Sequence, residues 1–232
     1  REDVSASIEF LEHELGVLEF DEHSCTFDFV EDAVGVADFK RLLDRKRKST
    51  SLDLSLVFDG SDIRQTLGIS DPQPSTFAER HHIVTQEWDF TQEVVWHQDL
   101  SDERLQMYVR EWRAATSPDT PKGRVVWLYI PERSASNVYD DIYERIAKNG
   151  LLETPIVFML LDDREGQLYN ALIDWQVARS LTEEEKRKYE RFIPGLLTKT
   201  ETALRAAFEQ LQRERTIVAP DGIVTAKGTL GQ

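Results

Sequence analysis

Two short apolar runs, Arg124–Ile130 and Ile156–Leu161, constrain this chain most. A strand that is apolar at every position has both faces covered, so it belongs inside a layered α/β sheet rather than at a solvated surface. Between them Val138, Ile142 and Ile146 recur at helical spacing and stop at Asn149-Gly150. After the second run Leu168, Leu172, Trp175 and Val177 mark a further helix over 165–179. Strand, helix, strand, helix with short connections predicts parallel strands joined by right-handed crossovers. Neither run approaches the roughly 20 apolar residues that cross a bilayer. No basic-then-apolar leader opens the sequence.

Around this kernel the pattern predicts a helix from Ser101, with Leu105, Tyr108, Val109 and Trp112 on its apolar stripe. Less regular alternation suggests strands over 82–88 and 92–97, and Leu52–Phe58 reads as another strand before a short helix over 61–67. Thr182 begins a long charged helical region that Pro194-Gly195 kinks or splits. Ile217–Val218 is a last short strand, and 221–232 reads as a tail.

The start of the chain is organised differently. Val4, Ile8, Leu11 and Leu15 form a helical stripe ended by Gly16. Val17–Phe20 and Cys25–Val30 read as a hairpin, and a helix follows over 36–46. Helix, hairpin, helix is the ending of a winged-helix module. The expected fold is therefore α/β: a winged-helix-like segment (1–48), a Rossmann-like α/β domain with parallel strands and a long C-terminal helical region (49–220), and a tail (221–232).

The 232 residues carry 43 acidic against 28 basic side chains, a formal charge of −15. That surface repels nucleic-acid phosphate unless its cations cluster. One cluster stands out, at Lys40, Arg41, Arg45, Lys46, Arg47 and Lys48. The segment before them is dominated by acids, and cations at a helix C-terminus also complement its dipole, so nucleic acid is not the favoured partner. The single cysteine, Cys25, closes no internal disulfide, and the expected address is cytoplasmic with no membrane contact.

Candidate chemistry is sparse. Ile156–Leu161 ends in Asp162-Asp163, which imitates the P-loop ATPase strand whose terminal acid holds Mg²⁺. These two acids are the weak metal candidates and would serve a metal-dependent hydrolase. No stretch reads G-x-x-x-x-G-K-[ST], however, and an acid after a buried strand is commonly a turn or helix cap. His81-His82 and His97 show no ligand spacing, because adjacent strand residues face opposite ways. No G-x-S-x-G elbow presents a nucleophile. Neither a catalytic residue nor a cofactor is assigned to this chain.

The order of elements resembles a known group. Leu15-Gly16-Val17-Leu18-Glu19-Phe20-Asp21-Glu22 followed by Phe27-Asp28-Phe29 resembles the winged-helix end that follows an AAA+-type ATPase core. The stretch Asn149 to Leu160, then Ile173-Asp174-Trp175-Gln176, then Leu181-Thr182-Glu183-Glu184-Glu185 and Thr216 to Pro220, is similar to the region after the motor in large ATPases of prokaryotic anti-phage defence, of the BREX and phage-growth-limitation type. The resemblance implies an accessory piece of an ATPase. ATP and Mg²⁺ would belong to the parent's P-loop core, and the partners would be other domains of the same polypeptide and defence-system proteins. Opening on Arg1 rather than Met fits an excised or processed piece better than an intact natural start. No functional residue is carried over.

Overall fold

The computed structural model describes residues 18–21, 26–29, 33–69, 82, 89–117, 120–131, 138–213 and 216–225. By internal contacts the chain divides into two units, one of residues 1–51 with 173–200, the other of 52–172 with 201–232.

The second unit is a mixed α/β layer structure. Its sheet has five strands in the order β3-β4-β5-β6-β7: β3 (Phe90–Trp96), β4 (Gly123–Ile130), β5 (Ile156–Asp162), β6 (Thr216–Ala219) and β7 (Gly222–Thr225). The first three are parallel, with Val94↔Trp127 and Trp127↔Met159 in register, and β6 and β7 turn antiparallel. Two helices make the crossovers, α4 (Asp102–Ala114) from β3 to β4 and α5 (Val138–Lys148) from β4 to β5. Both crossovers step the same way across the sheet, so a common hand puts both helices on one face. The core agrees: Val126, Leu128, Ile130, Ile156, Phe158 and Leu160 pack with Leu105 and Tyr108 of α4 and with Ile142 and Ile146 of α5.

The opposite face receives α2 (Leu54–Asp59) and the later part of α8 (Ile193–Arg213). Phe58 meets Tyr129 edge-on at 5.4 Å, and Phe208 meets Trp127 at 6.0 Å between ring centroids. Alternation along β4 thus buries even-numbered residues under α4 and α5 and odd-numbered ones on the other side. Gly123 opens β4 opposite Phe90, where a Cβ would stand 2.7 Å from the phenyl ring. An ionic cluster closes the first face: Glu93 accepts from Arg104 at 3.1 Å and Arg124 at 3.2 Å, and Arg124 stacks 4.8 Å over the Tyr108 ring. Burial pushes the Tyr108 hydroxyl's pKa up.

Two expectations are corrected. Leu52–Phe58 is not a strand: Asp53 caps α2 by accepting from the Leu56 amide at 3.3 Å. Leu54 and Phe58, four apart, are the buried pair, and Leu56 is 72% exposed. A cap and an i,i+4 pair override the alternation of Leu52, Leu54 and Leu56. Residues 221–232 are not all tail, because 222–225 form β7 against β6. The long charged helical region is split as expected, into α7 (Glu183–Lys188) and α8, although the break is at 189–192 and Pro194 lies in the first turn of α8, where its missing N–H costs nothing. The helix α3 (Ser61–Leu67) has the predicted bounds, and Gly68 ends it at φ 72°.

The first unit contains an antiparallel hairpin, β1 (Leu18–Asp21) with β2 (Thr26–Phe29), in register Leu18↔Phe29. The helix α1 (Ala33–Ser49) follows. Phe39 of α1 packs tilted against Tyr189 at 4.9 Å and stacks on Phe192 at 5.4 Å, and this cluster also contains Leu181. Thr182 and Glu185 form a reciprocal capping box on α7. The predicted helix over 4–15, the strand over 82–88 except His82, and Cys25, His81 and Trp88 lie outside the described residues.

Candidate functional site

In open parallel sheets, ligands gather beyond the C-terminal ends of the strands, where the strand order reverses. Asp162 and Asp163 sit at that end of β5, but the order β3-β4-β5 runs on without reversing. The alternation that buries β5 sends the two carboxylates to opposite faces.

Asp162 faces the α5 side. Its Oδ2 accepts from Arg164 Nε at 2.6 Å and from the Tyr139 hydroxyl, and Arg164 Nη2 reaches Tyr139 at 3.2 Å. Burial, then the bond to Asp162, raises the Tyr139 pKa. Asp162 is thus paired with a cation two residues along the chain.

Asp163 has no exposed surface. Its Oδ2 accepts from the Tyr129 hydroxyl on β4 and from the Tyr169 backbone amide, each at 2.8 Å. Its own amide donates to the Ile130 carbonyl at 3.0 Å, and its carbonyl accepts from Gly166. Tyr169 lies in the first turn of α6 (Gln167–Arg179), so the carboxylate meets an orphan helix amide and the positive end of the helix dipole. Desolvation first, then Asp163, drives the Tyr129 pKa up, keeping the hydroxyl a donor. One side chain thus ties β4, β5 and α6 together. Its Oδ1 is buried with no hydrogen-bond partner among the described residues.

A cleft of about 360 Å³ opens beside these acids, walled also by Tyr139, Gln210, Leu211, Thr216 and Thr225. The two threonines share a hydrogen bond of 3.0 Å across β6 and β7. No motif flags them: only the fold brings β7 to this edge.

The basic cluster on α1 separates by helical phase. Lys46 shares the inward side with Phe39, Leu42 and Leu43, where it pairs with Glu185 at 2.9 Å and donates to the Ser180 carbonyl at 3.4 Å. Arg47 pairs with Asp174 at 2.9 Å. Arg41 is 74% exposed and reaches back to Asp38 at 3.4 Å. Arg41, Arg45 and Lys48 recur on the outward side, and Lys40 is exposed. The cations that sequence groups together are therefore divided between holding α1 and facing solvent.

His97 is half-buried, and its Nδ1 lies 3.2 Å from the Tyr129 carbonyl, which fixes that nitrogen as the donor. Burial lowers its pKa, opposed by this bond. Trp127 and Trp175 are buried and Trp112 partly so. Among the described residues no three His, Cys, Asp or Glu side chains group to hold a metal ion, and no helix is long and apolar enough to cross a membrane. No protein-family model matches this sequence, and comparison with curated proteins and with solved structures finds no match either.

Proposed function

We propose that this chain is a non-catalytic coupling module of a larger ATP-driven protein, of the prokaryotic anti-phage defence type, acting through contacts with other domains of that polypeptide. The observation that carries this reading is that one oxygen each of Asp162 and Asp163, Oδ2, takes two internal hydrogen bonds, which fixes how both side chains are turned. One is paired to Arg164 and Tyr139, and the other anchors Tyr129 and the first turn of α6. A metal ligand or general base needs a carboxylate that can turn toward substrate. These two are held by the fold.

On this reading the β1–β2 hairpin with α1 is the winged-helix-like remnant of an ATPase lid, and the five-stranded unit is a Rossmann-like accessory domain that has lost the nucleotide crevice. The unreversed strand order supports that second part. The test is nucleotide turnover by the chain alone, with Mg²⁺ and with Mn²⁺. No hydrolysis above buffer is expected. Metal-dependent turnover that disappears in Asp162→Asn would overturn the reading.

A second reading, nucleic-acid contact, draws on the outward Arg41, Arg45 and Lys48. Fluorescence anisotropy with duplex DNA at two salt concentrations separates the two. Weak binding is expected throughout, whereas tight binding that falls steeply with salt would favour the second reading.

A further inference from the structure

We propose that the cleft at the C-terminal edge of β5 binds a primary ammonium group, with Asp163 as its buried carboxylate partner. This goes beyond the coupling reading and rests on a different feature, the unused oxygen of Asp163.

Oδ2 of that carboxylate takes both hydrogen bonds, and Oδ1 takes none among the described residues although it is buried. A buried carboxyl oxygen without a hydrogen-bond partner is costly, so the site is complete only when a donor reaches it. The nearest cation in sequence, Arg164, does not supply one, because it bonds to Asp162 and Tyr139. The cleft that Asp163 lines is also lined by the oxygen-bearing residues Glu165, which accepts from Gln167 at 2.9 Å, Gln210, Thr216 and Thr225, the two threonine hydroxyls sharing a hydrogen bond. An ammonium has three donors and no acceptor, which suits a wall of oxygens. A divalent ion asks for a denser set of carboxylates, and no such group of three exists among the described residues. The cleft, about 360 Å³, lies at the small end of ligand pockets, and Leu211 gives an alkyl stem an apolar wall.

Entry requires a side chain at the mouth to swing, since Asp163 has no exposed surface. Arg164 is long, 62% exposed and held chiefly by Asp162. It also lines the cleft, so it is the cation that competes for this edge.

The experiment is a set of ¹H–¹⁵N titrations of the whole chain with n-butylammonium, tetramethylammonium, spermidine and Mg²⁺. Saturable shifts at the Asp163, Tyr169 and Thr216 amides are expected with butylammonium and not with tetramethylammonium, which has no N–H to donate. Arg164→Ala should tighten binding about three-fold, and Asp163→Asn should weaken it about ten-fold, the loss of one charge-assisted bond. Glu165→Gln, at an exposed position, is expected to weaken it about two-fold and guards against a folding defect in the Asp163 variant. Spermidine binding ten-fold tighter than butylammonium would assign the site to free polyamines, and equal binding would assign it to a lysine tip on a protein. Identical shifts with tetramethylammonium, displacement by Mg²⁺ at the same amides, or no effect of Arg164→Ala would each overturn the proposal. Such a failure leaves the coupling reading intact, just as nucleotide turnover by the chain would remove that reading without touching the amine site.

Discussion

At the scale of single residues, neighbouring acids do different work. Asp163→Ala strips the acceptor from Tyr129 and from the α6 amide, both inside the protein, and is expected to cost about 2–4 kcal/mol in urea unfolding. Arg164→Ala removes a largely exposed cation and should change stability by less than about 1 kcal/mol. His97 gives a pH test with a definite sign. Its pKa is lowered in the folded state by burial, so the unfolded chain binds the extra proton first. Stability from this group is therefore complete above the unfolded value near 6.5 and is lost as pH falls below it. Urea unfolding at pH 7.5 and 5.5 should show that loss, and His97→Gln should flatten it. A steeper dependence in the variant would contradict the assignment.

At the scale of elements, β3 meets β4 through one close approach. The Cβ of Gly123→Ala would stand 2.7 Å from the Phe90 ring, an overlap expected to cost about 1–3 kcal/mol, read as a fall in thermal midpoint. The helix α1 makes a paired comparison. Lys46→Ala loses Glu185 and the Ser180 carbonyl and should destabilise by about 1 kcal/mol, whereas Arg45→Ala on the outward side should stay within about 0.5 kcal/mol. Legibility in the sequence follows from the same physics. The buried strands β4 and β5 and helices α4 and α5 announce themselves because burial on one or both sides writes a period into the residues. Helix α2 does not: three leucines at every second position imitate a strand, and only the cap at Asp53 and the burial of Leu54 with Phe58 reveal the turn. Strand β7 is short and partly exposed, with Val224 at 53%, so no apolar period distinguishes it from a tail.

At the scale of the whole molecule, the edge of β5 was the most visible candidate site in the sequence, and its chemistry was the least visible. Asp162-Asp163 after an apolar run is a local pattern. The Arg164 pair is equally local, but Tyr129 is 34 residues away and Tyr139 is 23, so their bonds exist only once β4, β5 and α5 are assembled. The charge of −15 likewise hides a division, because the cations of α1 serve both packing and surface. The account holds that the acids ending β5 secure the fold and do not seat a nucleotide–metal complex. The most direct measurement is the thermal midpoint of the chain titrated with Mg·ATP. A ligand that binds the folded state raises the midpoint by mass action. The account predicts no shift at millimolar Mg·ATP, in the native chain or in Asp162→Asn. A concentration-dependent rise that Asp162→Asn abolishes would contradict it.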